Sequence, residues 1–244
     1  MELRIAGLKT LPEVKPGDEL GKLIRDAANR EGQTLDPNTI LVVAQKIVSK
    51  AEGALVDLRT IEPSELAADW AKTWNKDARV IELVLRESRR IVKMERGVII
   101  AETHHGFVTA NAGVDQSNIP GHDFATVLPK NPDESARRLR LDLNCGAVII
   151  SDTFGRPWRE GLINVAIGVS GIEAVEDLRG TQDRGGRSLS ATILARADEL
   201  AASAGLVMPK ADGTPVALIQ GYQWERREGS SRGLMRAREL DLFR

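Results

Sequence analysis

The stretch Gly146-Ala-Val-Ile-Ile-Ser-Asp-Thr-Phe-Gly-Arg156 joins an apolar run directly to a group of polar side chains. The run from Gly146 to Ile150 is typical of a fully buried strand. A second buried strand is predicted at Ile40 to Ala44, and it also leads into polar residues. Polar residues crowded at the ends of apolar strands are the main feature of this sequence, and we expect its chemistry there.

Helix and strand signals mix along the rest of the chain. Helices are predicted on the apolar face Leu20, Leu23, Ile24, Ala27 and Ala28, after Pro63 with Leu66, Trp70 and Trp74, and at Val80 to Arg90. Further helices are predicted after the start signal Asn131-Pro132-Asp133-Glu134, along Leu189, Ile193, Ala197, Leu200 and Ala204, and in the tail from Arg226. Further strands are predicted at Val98 to Glu102, Phe107 to Ala110 and Thr214 to Gln220. Because the elements show no regular βαβ alternation, we predict an α+β fold with mixed sheets, flanking helices and two interlocked lobes.

The composition excludes several classes of protein. The 244 residues include 34 Lys and Arg against 35 Asp and Glu, so the chain lacks the positive charge of a general nucleic-acid binder. A single cysteine, Cys145, excludes an intrachain disulfide, and we expect it to be a buried apolar residue. The longest apolar run, Ile40 to Ala44, is too short to span a membrane, and no charged-then-apolar leader follows Met1. We therefore expect a cytoplasmic protein that acts on small molecules.

The cluster Asn111-Ala-Gly-Val-Asp-Gln-Ser-Asn118 follows the predicted strand that ends at Ala110. A carboxylate at Asp115, flanked by amides and a glycine, can ligate a hard cation such as Mg²⁺ or Mn²⁺. Asn, Asp and Gly also dominate turns for backbone reasons, and this cluster alone favours a turn.

A second acidic cluster begins at Ser151. Asp152 and Thr153 can hold a divalent ion, while Arg156 and Arg159 present forked donors that suit phosphate or carboxylate. The alternative is a helix cap at Asp152 with surface arginines. Because two such clusters occur in one chain, a metal and phosphate site is about as well supported as the structural explanations.

Two further segments are weaker candidates. Gln45-Lys46 and Ser49-Lys50-Ala51-Glu52-Gly53 follow a buried strand, and a lysine there can meet a nucleotide phosphate, although most lysines are simply solvated. Residues 208–215 form a predicted loop that either embraces a ligand or only connects two elements. The sequence lacks the signatures of P-loop NTPases, Rossmann dehydrogenases, zincins and α/β-hydrolases. The adjacent His104 and His105 are predicted on a turn and do not suit a shared metal site.

Several of these segments, in this order, resemble the coenzyme F420-0:L-glutamate ligase (gamma-glutamyl ligase) family. The motifs that carry the resemblance are Leu11-Pro12, Val48-Ser-Lys-Ala-Glu-Gly53, Asn111-Ala-Gly-Val-Asp-Gln-Ser-Asn118, Leu128-Pro129, Pro132-Asp-Glu-Ser-Ala136, Ser151-Asp-Thr-Phe-Gly-Arg156 and Val165-Ala-Ile-Gly168. The resemblance covers almost the whole chain. It implies a single ligase domain over residues 1–244, without the flavin-reductase-like domain of some bacterial members, and an intertwined homodimer.

The resemblance also implies an activity and a set of ligands. Such ligases use GTP and divalent cations, Mg²⁺ or Mn²⁺ with K⁺ as a further candidate, to join L-glutamate to the deazaflavin precursor F420-0. By resemblance, Asp115, Asp152 and Thr153 hold the metal ions, and Asp115, Asp152, Arg156 and Arg159 are the catalytic candidates. The implied nucleotide site comprises Leu11, Pro12, Glu13, Val14, Gln45, Lys46, Lys50, Asn118, Met208, Pro209, Lys210, Ala211, Asp212, Gly213, Thr214 and Pro215. A ligase for another carboxylate and a non-catalytic GTP-binding protein are the alternatives.

Two departures from the family pattern affect the ligands. Some members carry an acidic residue in the late loop that reaches a metal, whereas this chain has Lys210 there. Asp212 replaces that ligand, water fills its position, or the lysine meets a phosphate. Gln45-Lys46 stands where archaeal relatives have small hydroxyl residues, which leaves the details of nucleotide binding open.

Overall fold

The computed structural model describes residues 2–117, 121, 123–210 and 212–242. Its strands are β1 (Arg4–Leu8), β2 (Ile40–Ala44), β3 (Leu55–Asp57), β4 (Ser88–Glu95), β5 (Val98–Thr103), β6 (Val108–Ala110), β7 (Phe124–Thr126), β8 (Ala147–Arg156), β9 (Arg159–Ser170), β10 (Glu176–Asp177), β11 (Ile193–Leu194) and β12 (Val216–Gln220). Its α-helices are α1 (Leu20–Arg30), α2 (Gln45–Ala51), α3 (Glu65–Trp74), α4 (Ala78–Arg86), α5 (Pro132–Leu143) and α6 (Arg196–Gly205). The prediction of a mixed α+β fold with several sheets is confirmed.

Five strands form the main sheet, in the order β1-β12-β2-β8-β9. Strands β2 and β8 are parallel, and the other neighbours are antiparallel. Along β2, Leu41 and Val43 pack in a core with α1, α2 and α5, while Ile40 and Val42 pack in a core with α6. Because both faces are covered, the central strands are apolar at consecutive positions, which explains their uninterrupted apolar runs.

The three-stranded sheet β4-β5-β6 and the helices α3 and α4 surround a separate core. The side chain of Ser64 caps α3 and that of Asp77 caps α4, each accepting a backbone N–H of the first turn. Strands β3 and β7 pair beside this region. An isolated bridge between Asp115 and Thr126 joins the end of this region to β7.

The start of α5 matches its prediction. Asn131 caps the helix by accepting the N–H of Glu134 at 3.2 Å, and Pro132 occupies the first turn. The carboxylate of Asp133 accepts N–H groups from Val169 on β9 and from Ser231 in the C-terminal segment. One sequence signal therefore starts a helix and also ties two distant segments to it.

The polar cluster after Ile150 was predicted to lie beyond a strand end, and this is wrong. Strand β8 continues through Asp152 to Arg156 and forms a hairpin with β9. A register shift between Ile150 and Ser151 marks an irregularity in this ladder. Such bulges change the direction of neighbouring side chains, so an extended strand can still bring consecutive polar residues to one site.

The helix predicted from Leu189 is too long at its start. Helix α6 begins at Arg196, and Ile193–Leu194 is instead strand β11, paired with β10. The carboxylate of Asp183 accepts the N–H groups of Gly185 and Arg187 and closes a turn upstream. The pairing with β10 places Ile193 and Leu194 in a strand, and this long-range partner outweighs the apolar periodicity there.

Three other helix predictions need correction. The helix predicted at Val80 to Arg90 is shorter, because β4 begins at Ser88. Pro63 precedes the cap of α3 and does not lie in its first turn. The tail from Arg226 has only 3₁₀ turns at Ser231–Leu234 and Arg238–Leu240. Among the described residues, no helix combines the length and apolar character needed to cross a bilayer.

Candidate active site

One edge of the main sheet collects chain segments that are far apart in the sequence. Because β2 and β8 are parallel, their residues advance toward the same edge, where Ala44 pairs with Ser151. Strand β1 ends at this edge, and β12 starts there, because Leu8 pairs with Val216. The segments that join these strand ends therefore surround a common space.

That space is a cavity of about 350 Å³, within the size range of small-molecule sites. Its lining residues are Leu11, Pro12, Glu13, Val14, Ala44, Gln45, Lys46, Ile47, Lys50, Asp115, Ser151, Asp152, Thr153, Asn164, Met208, Pro209, Lys210, Gly213, Thr214 and Pro215. Residues from six separated stretches of the sequence thus meet in one place.

Asp115 reaches the cavity from a turn with an uncommon backbone. Asn111, Ala112 and Gly113 have positive φ angles of 52°, 50° and 75°. The left-handed conformation costs about 1–2 kcal/mol at a residue with a side chain, and Ala112 is buried. A Cβ on Gly113 would lie 2.7 Å from Cγ of Leu128, so glycine is required there. The turn and the acidic ligand that the sequence predicted for this cluster are therefore compatible, because the turn positions Asp115 at the cavity.

The carboxylate of Asp115 is held by a lysine and by a short loop. Its Oδ2 lies 2.7 Å from Nζ of Lys46, and its Oδ1 accepts the N–H of Ser117 at 2.6 Å. Lys46 also donates to the hydroxyl of Ser117. Burial by itself raises the pKa of Asp115, but the bonds from Lys46 and Ser117 outweigh it and hold the pKa below its ordinary value. Asp115 is therefore a fixed negative charge at neutral pH.

Asp152 has the opposite electrostatic environment. Burial raises the pKa of its carboxyl to about 6, and the negative charge of Asp115 adds to this rise. The N–H of Thr153, which donates to Oδ1 at 2.8 Å, and the charges of Lys210 and Lys46 oppose it only in part. Asp152 is therefore a carboxylate whose negative charge is incompletely compensated within the described chain.

Thr153 is the centre of a small polar network. Its hydroxyl donates to Oδ1 of Asn164 at 2.9 Å and accepts from Nζ of Lys210 at 2.7 Å. Asn164 lies opposite Thr153 in the β8–β9 ladder, so the hairpin itself sets this contact. Lys210 comes from the loop between α6 and β12 and connects that loop to the strand.

A third lysine also lines the cavity. Lys50 in α2 is buried and its Nζ lies 2.5 Å from Oε1 of Glu13. Gln45, at the start of the same helix, is buried and its Oε1 accepts the hydroxyl of Ser49 at 2.9 Å. Among the described residues, the cavity lining thus contains three acids and three lysines, which are Glu13, Asp115, Asp152, Lys46, Lys50 and Lys210.

The structure brings most of the predicted site residues together, but not all of them. Arg156 and Arg159 do not line the cavity; they face each other across the hairpin, and Arg156 donates to the carbonyl of Glu160. Asp212 is exposed and also lies outside the lining. Asn118 and Ala211 fall outside the described residues. The roles assigned to all these residues stay predictions.

The sequence interpretation missed Asn164 and Ser151 as lining residues. Asn164 lies eleven residues after Thr153, and the hairpin that opposes them was not predicted. A polar residue inside the apolar run Leu162 to Gly168 was the available signal. Ser151 was quoted but given no role.

The residues present suit a divalent cation. Asp115 and Asp152 offer carboxylate oxygens and Thr153 offers a hydroxyl oxygen. Such oxygen atoms are ligands that Mg²⁺ and Mn²⁺ bind. The raised pKa of Asp152 indicates a negative charge that a cation would stabilise. Within the described ranges, no group of three His, Cys, Asp or Glu residues is arranged as a self-contained metal site. Any cation here would therefore need further ligands from water or from a bound substrate.

Cys145 and the two described histidines lie outside the cavity. Cys145 is buried, and burial raises the pKa of its thiol to about 12. The ring of His105 bonds through Nε2 to the carbonyl of Pro129, and that of His104 to the carbonyl of Arg86. These residues have structural contacts, in agreement with the sequence interpretation of Cys145.

The fold and the cavity define an α+β protein whose sheet edge combines acids, lysines and a hydroxyl in one ligand-sized space. The sequence profile described as F420-0:Gamma-glutamyl ligase matches residues 7–221. The chain is 45% identical to the coenzyme F420:L-glutamate ligase of Methanothermobacter thermautotrophicus, with all of both chains covered. It is 45% identical to that of Methanopyrus kandleri, covering 99% of this chain and 98% of the relative, and 43% identical to that of Methanocaldococcus jannaschii, covering 100% and 97%. The chain belongs to the F420-0:gamma-glutamyl ligase family.

Proposed function

We propose that this protein joins L-glutamate to coenzyme F420-0 in a GTP-dependent reaction that forms γ-linked amide bonds. The proposal rests on one observation above all: a single cavity holds Asp115, Asp152 and Thr153 together with Lys46 and Lys210. Acids that suit a cation and lysines that suit phosphate are the requirements of a phosphoryl-transfer step. The names of the relatives supply the substrates, glutamate and the F420 precursor.

Two chemical steps account for the proposed reaction. A carboxylate oxygen of F420-0 attacks the γ-phosphorus of GTP, the bond from that phosphorus to the bridging oxygen breaks, and GDP leaves. The resulting acyl phosphate is then attacked at its carbonyl carbon by the amine of glutamate. The carbon–oxygen bond to phosphate breaks, inorganic phosphate leaves, and the amine loses a proton.

The residues of this chain would bind and orient the reacting groups. Lys46 and Lys50 would present ammonium groups to the nucleotide, and Leu11 to Val14 also line the cavity. Asp115, Asp152 and Thr153 would hold Mg²⁺ or Mn²⁺, which neutralises charge on the phosphoryl group during transfer. K⁺ stays a further candidate. Enclosure by the loop of residues 208–215 would keep water from the acyl phosphate.

Arg156 and Arg159 are proposed to contact a substrate carboxylate or phosphate beyond the cavity mouth. The Nε of Arg156 is buried and has no hydrogen-bond partner within the described part of the chain. A forked guanidinium in this condition is suited to an incoming carboxylate. A small loss of activity in Arg159→Ala beside a large loss in Arg156→Ala is the expected outcome.

We also propose that the protein acts as a homodimer. The β8–β9 hairpin projects Trp158 and Leu162, which are 80% and 68% exposed. Large apolar side chains exposed together on a hairpin tip are typical of an interaction surface. Leu162→Glu should shift the sedimentation coefficient from that of a dimer to that of a monomer, and an unchanged value would remove this part of the proposal. A cytoplasmic location stays a prediction.

The ligase activity is tested directly by mass spectrometry. Purified protein is incubated with GTP, Mn²⁺, L-glutamate and F420-0, and the product should gain one glutamyl unit while GDP accumulates. Product that forms only with another acid would identify a related ligase with a different substrate. Tight GTP binding without GDP formation in the full mixture would identify a non-catalytic nucleotide-binding protein.

A further inference from the structure

The ammonium of Lys210 lies beside one of the cavity oxygens that suit a cation. Its Nζ lies 2.7 Å from Oγ1 of Thr153, and Thr153 is one of the three residues with oxygens suited to a metal ion. The other hydrogen bond of that hydroxyl goes to Asn164. Since a hydroxyl has one proton to donate and two lone pairs, only one lone pair of Thr153 is left for any other ligand.

The positive charge of Lys210 also acts on the neighbouring acid. The ammonium of Lys210 bonds to Thr153, the residue next to Asp152 in β8. Lys46, in contrast, forms a direct ion pair of 2.7 Å with the carboxylate of Asp115. Lys46 and Lys210 come from different elements, α2 and the loop before β12.

A divalent ion bound at Thr153 would lie within a few ångströms of the Lys210 ammonium. Like charges at such a separation repel each other. A lysine also cannot be a metal ligand while it carries its proton, because an ammonium has no lone pair. The alternative of Asp212 as a substitute ligand is not favoured, because Asp212 is exposed outside the cavity lining.

We infer that Lys210 is a built-in cation that replaces one divalent ion, so that each chain with bound nucleotide holds a single ion at Asp115 and Asp152. The ammonium neutralises charge beside Asp152 and Thr153 and leaves its remaining protons for a phosphate oxygen. This inference rests on the proposed nucleotide and metal site. It adds that the number of divalent ions is set by one loop residue of this chain.

Native mass spectrometry of the full-length protein counts the bound ions. The sample contains Mn²⁺ and guanosine 5′-(β,γ-imido)triphosphate, which cannot transfer its terminal phosphate. We expect one nucleotide and one Mn²⁺ per chain. In Lys210→Glu, a carboxylate replaces the ammonium, and we expect a second Mn²⁺ per chain.

Two control variants separate charge from ligation. Lys130→Glu makes the same charge change at an exposed lysine outside the cavity and should keep one Mn²⁺ per chain. Lys210→Gln removes the ammonium without adding a carboxylate and should also keep one ion, bound on the order of tenfold more tightly.

The inference is overturned by two Mn²⁺ ions in the unchanged protein, by one ion in Lys210→Glu, or by a second ion in Lys130→Glu. Absence of Mn²⁺ from every complex also overturns it. Turnover is measured in a separate assay, so the ion count does not depend on ligase activity. A protein with the expected counts but no glutamyl transfer would keep this inference and remove the proposed reaction.

Discussion

Asp177 lies on the exterior of the molecule beside Arg179, whereas Asp152 lies in the cavity at the edge of the main sheet. The guanidinium of Arg179 bonds to both carboxylate oxygens of Asp177, and the backbone N–H of Arg179 donates to the same group. These bonds lower the pKa of Asp177 to about 2, while burial raises that of Asp152 to about 6. The two carboxyl groups of the same residue type therefore differ by several pKa units because of their surroundings.

The exterior arrangement recurs at Asp57 with Arg59 and at Asp77 with Arg79. In each pair the arginine two residues later bonds to the acid, and Arg79 bonds in addition to Asp123. The acids of the cavity have lysines as partners instead, and these present point charges on flexible stems. A carboxylate that is hydrogen-bonded to a fixed guanidinium has a structural role. A carboxylate without such a partner can bind a ligand.

The largest expected effect comes from neutralising Asp152. Asp152→Asn should lower metal-dependent turnover by about 100-fold or more, because the site loses a charge needed at the transferring phosphoryl group. The far-ultraviolet circular dichroism spectrum should be unchanged. The matched control Asp177→Asn removes an exterior acid and should keep activity within about twofold. Equal losses of turnover in Asp152→Asn and Asp177→Asn would show that the different surroundings of the two acids do not determine their functional roles.

A smaller effect is expected from the residue that orients Thr153. Asn164→Leu should lower kcat by about tenfold, since the hydroxyl of Thr153 loses its acceptor. If Asn164 acts through Thr153, the double variant Thr153→Val, Asn164→Leu should be no worse than Thr153→Val alone. Additive losses in kcat/KM would contradict this coupling.

The exterior pair is tested by its titration and not by activity. Removing the guanidinium in Arg179→Gln takes away a positive charge that stabilises the ionised acid, so the pKa of Asp177 should rise from about 2 toward 3.8. Carbon-13 NMR of the side-chain carboxyl carbon measures the change. Turnover at neutral pH should stay the same, because Asp177 is ionised in both forms.

The smallest effect is expected at the single cysteine. Its raised pKa, about 12, keeps the thiol protonated at neutral pH, and the residue lies in the core outside the cavity. Cys145→Ala should change kcat/KM by less than about twofold. In the unchanged protein, a thiol reagent should react slowly until denaturant is added. Rapid labelling with loss of turnover would contradict a purely structural role.

Much of this site could be predicted from the sequence because its residues lie in short local motifs. The runs at Ile40 and Gly146 predicted two central strands, and the acids at Asp115 and Asp152 stood out beside turns and strands. The capping signal at Asn131 was confirmed because capping depends on only three or four consecutive residues. Local signals of this kind survive folding, because the groups that satisfy them are neighbours in the sequence.

The predictions that failed depend on partners distant in sequence. The apolar periodicity that starts at Leu189 favoured a helix, but Ile193 and Leu194 form strand β11, which pairs with β10. The hairpin of β8 with β9 was missed, and with it the contact of Asn164 with Thr153. Apolar spacing reports only that a face is buried, and it does not identify the element that covers it.

The sequence by itself determined the kind of chemistry available: two acids, a hydroxyl and several lysines, with a near balance of charge. Only the tertiary structure decided which of these groups work together. The parallel pairing of β2 with β8 brought Lys46 to the side of Asp152, and the loop before β12 placed Lys210 on Thr153. Burial then gave Asp115 and Asp152 different pKa values, because the free energy of a charge depends on the groups and solvent around it.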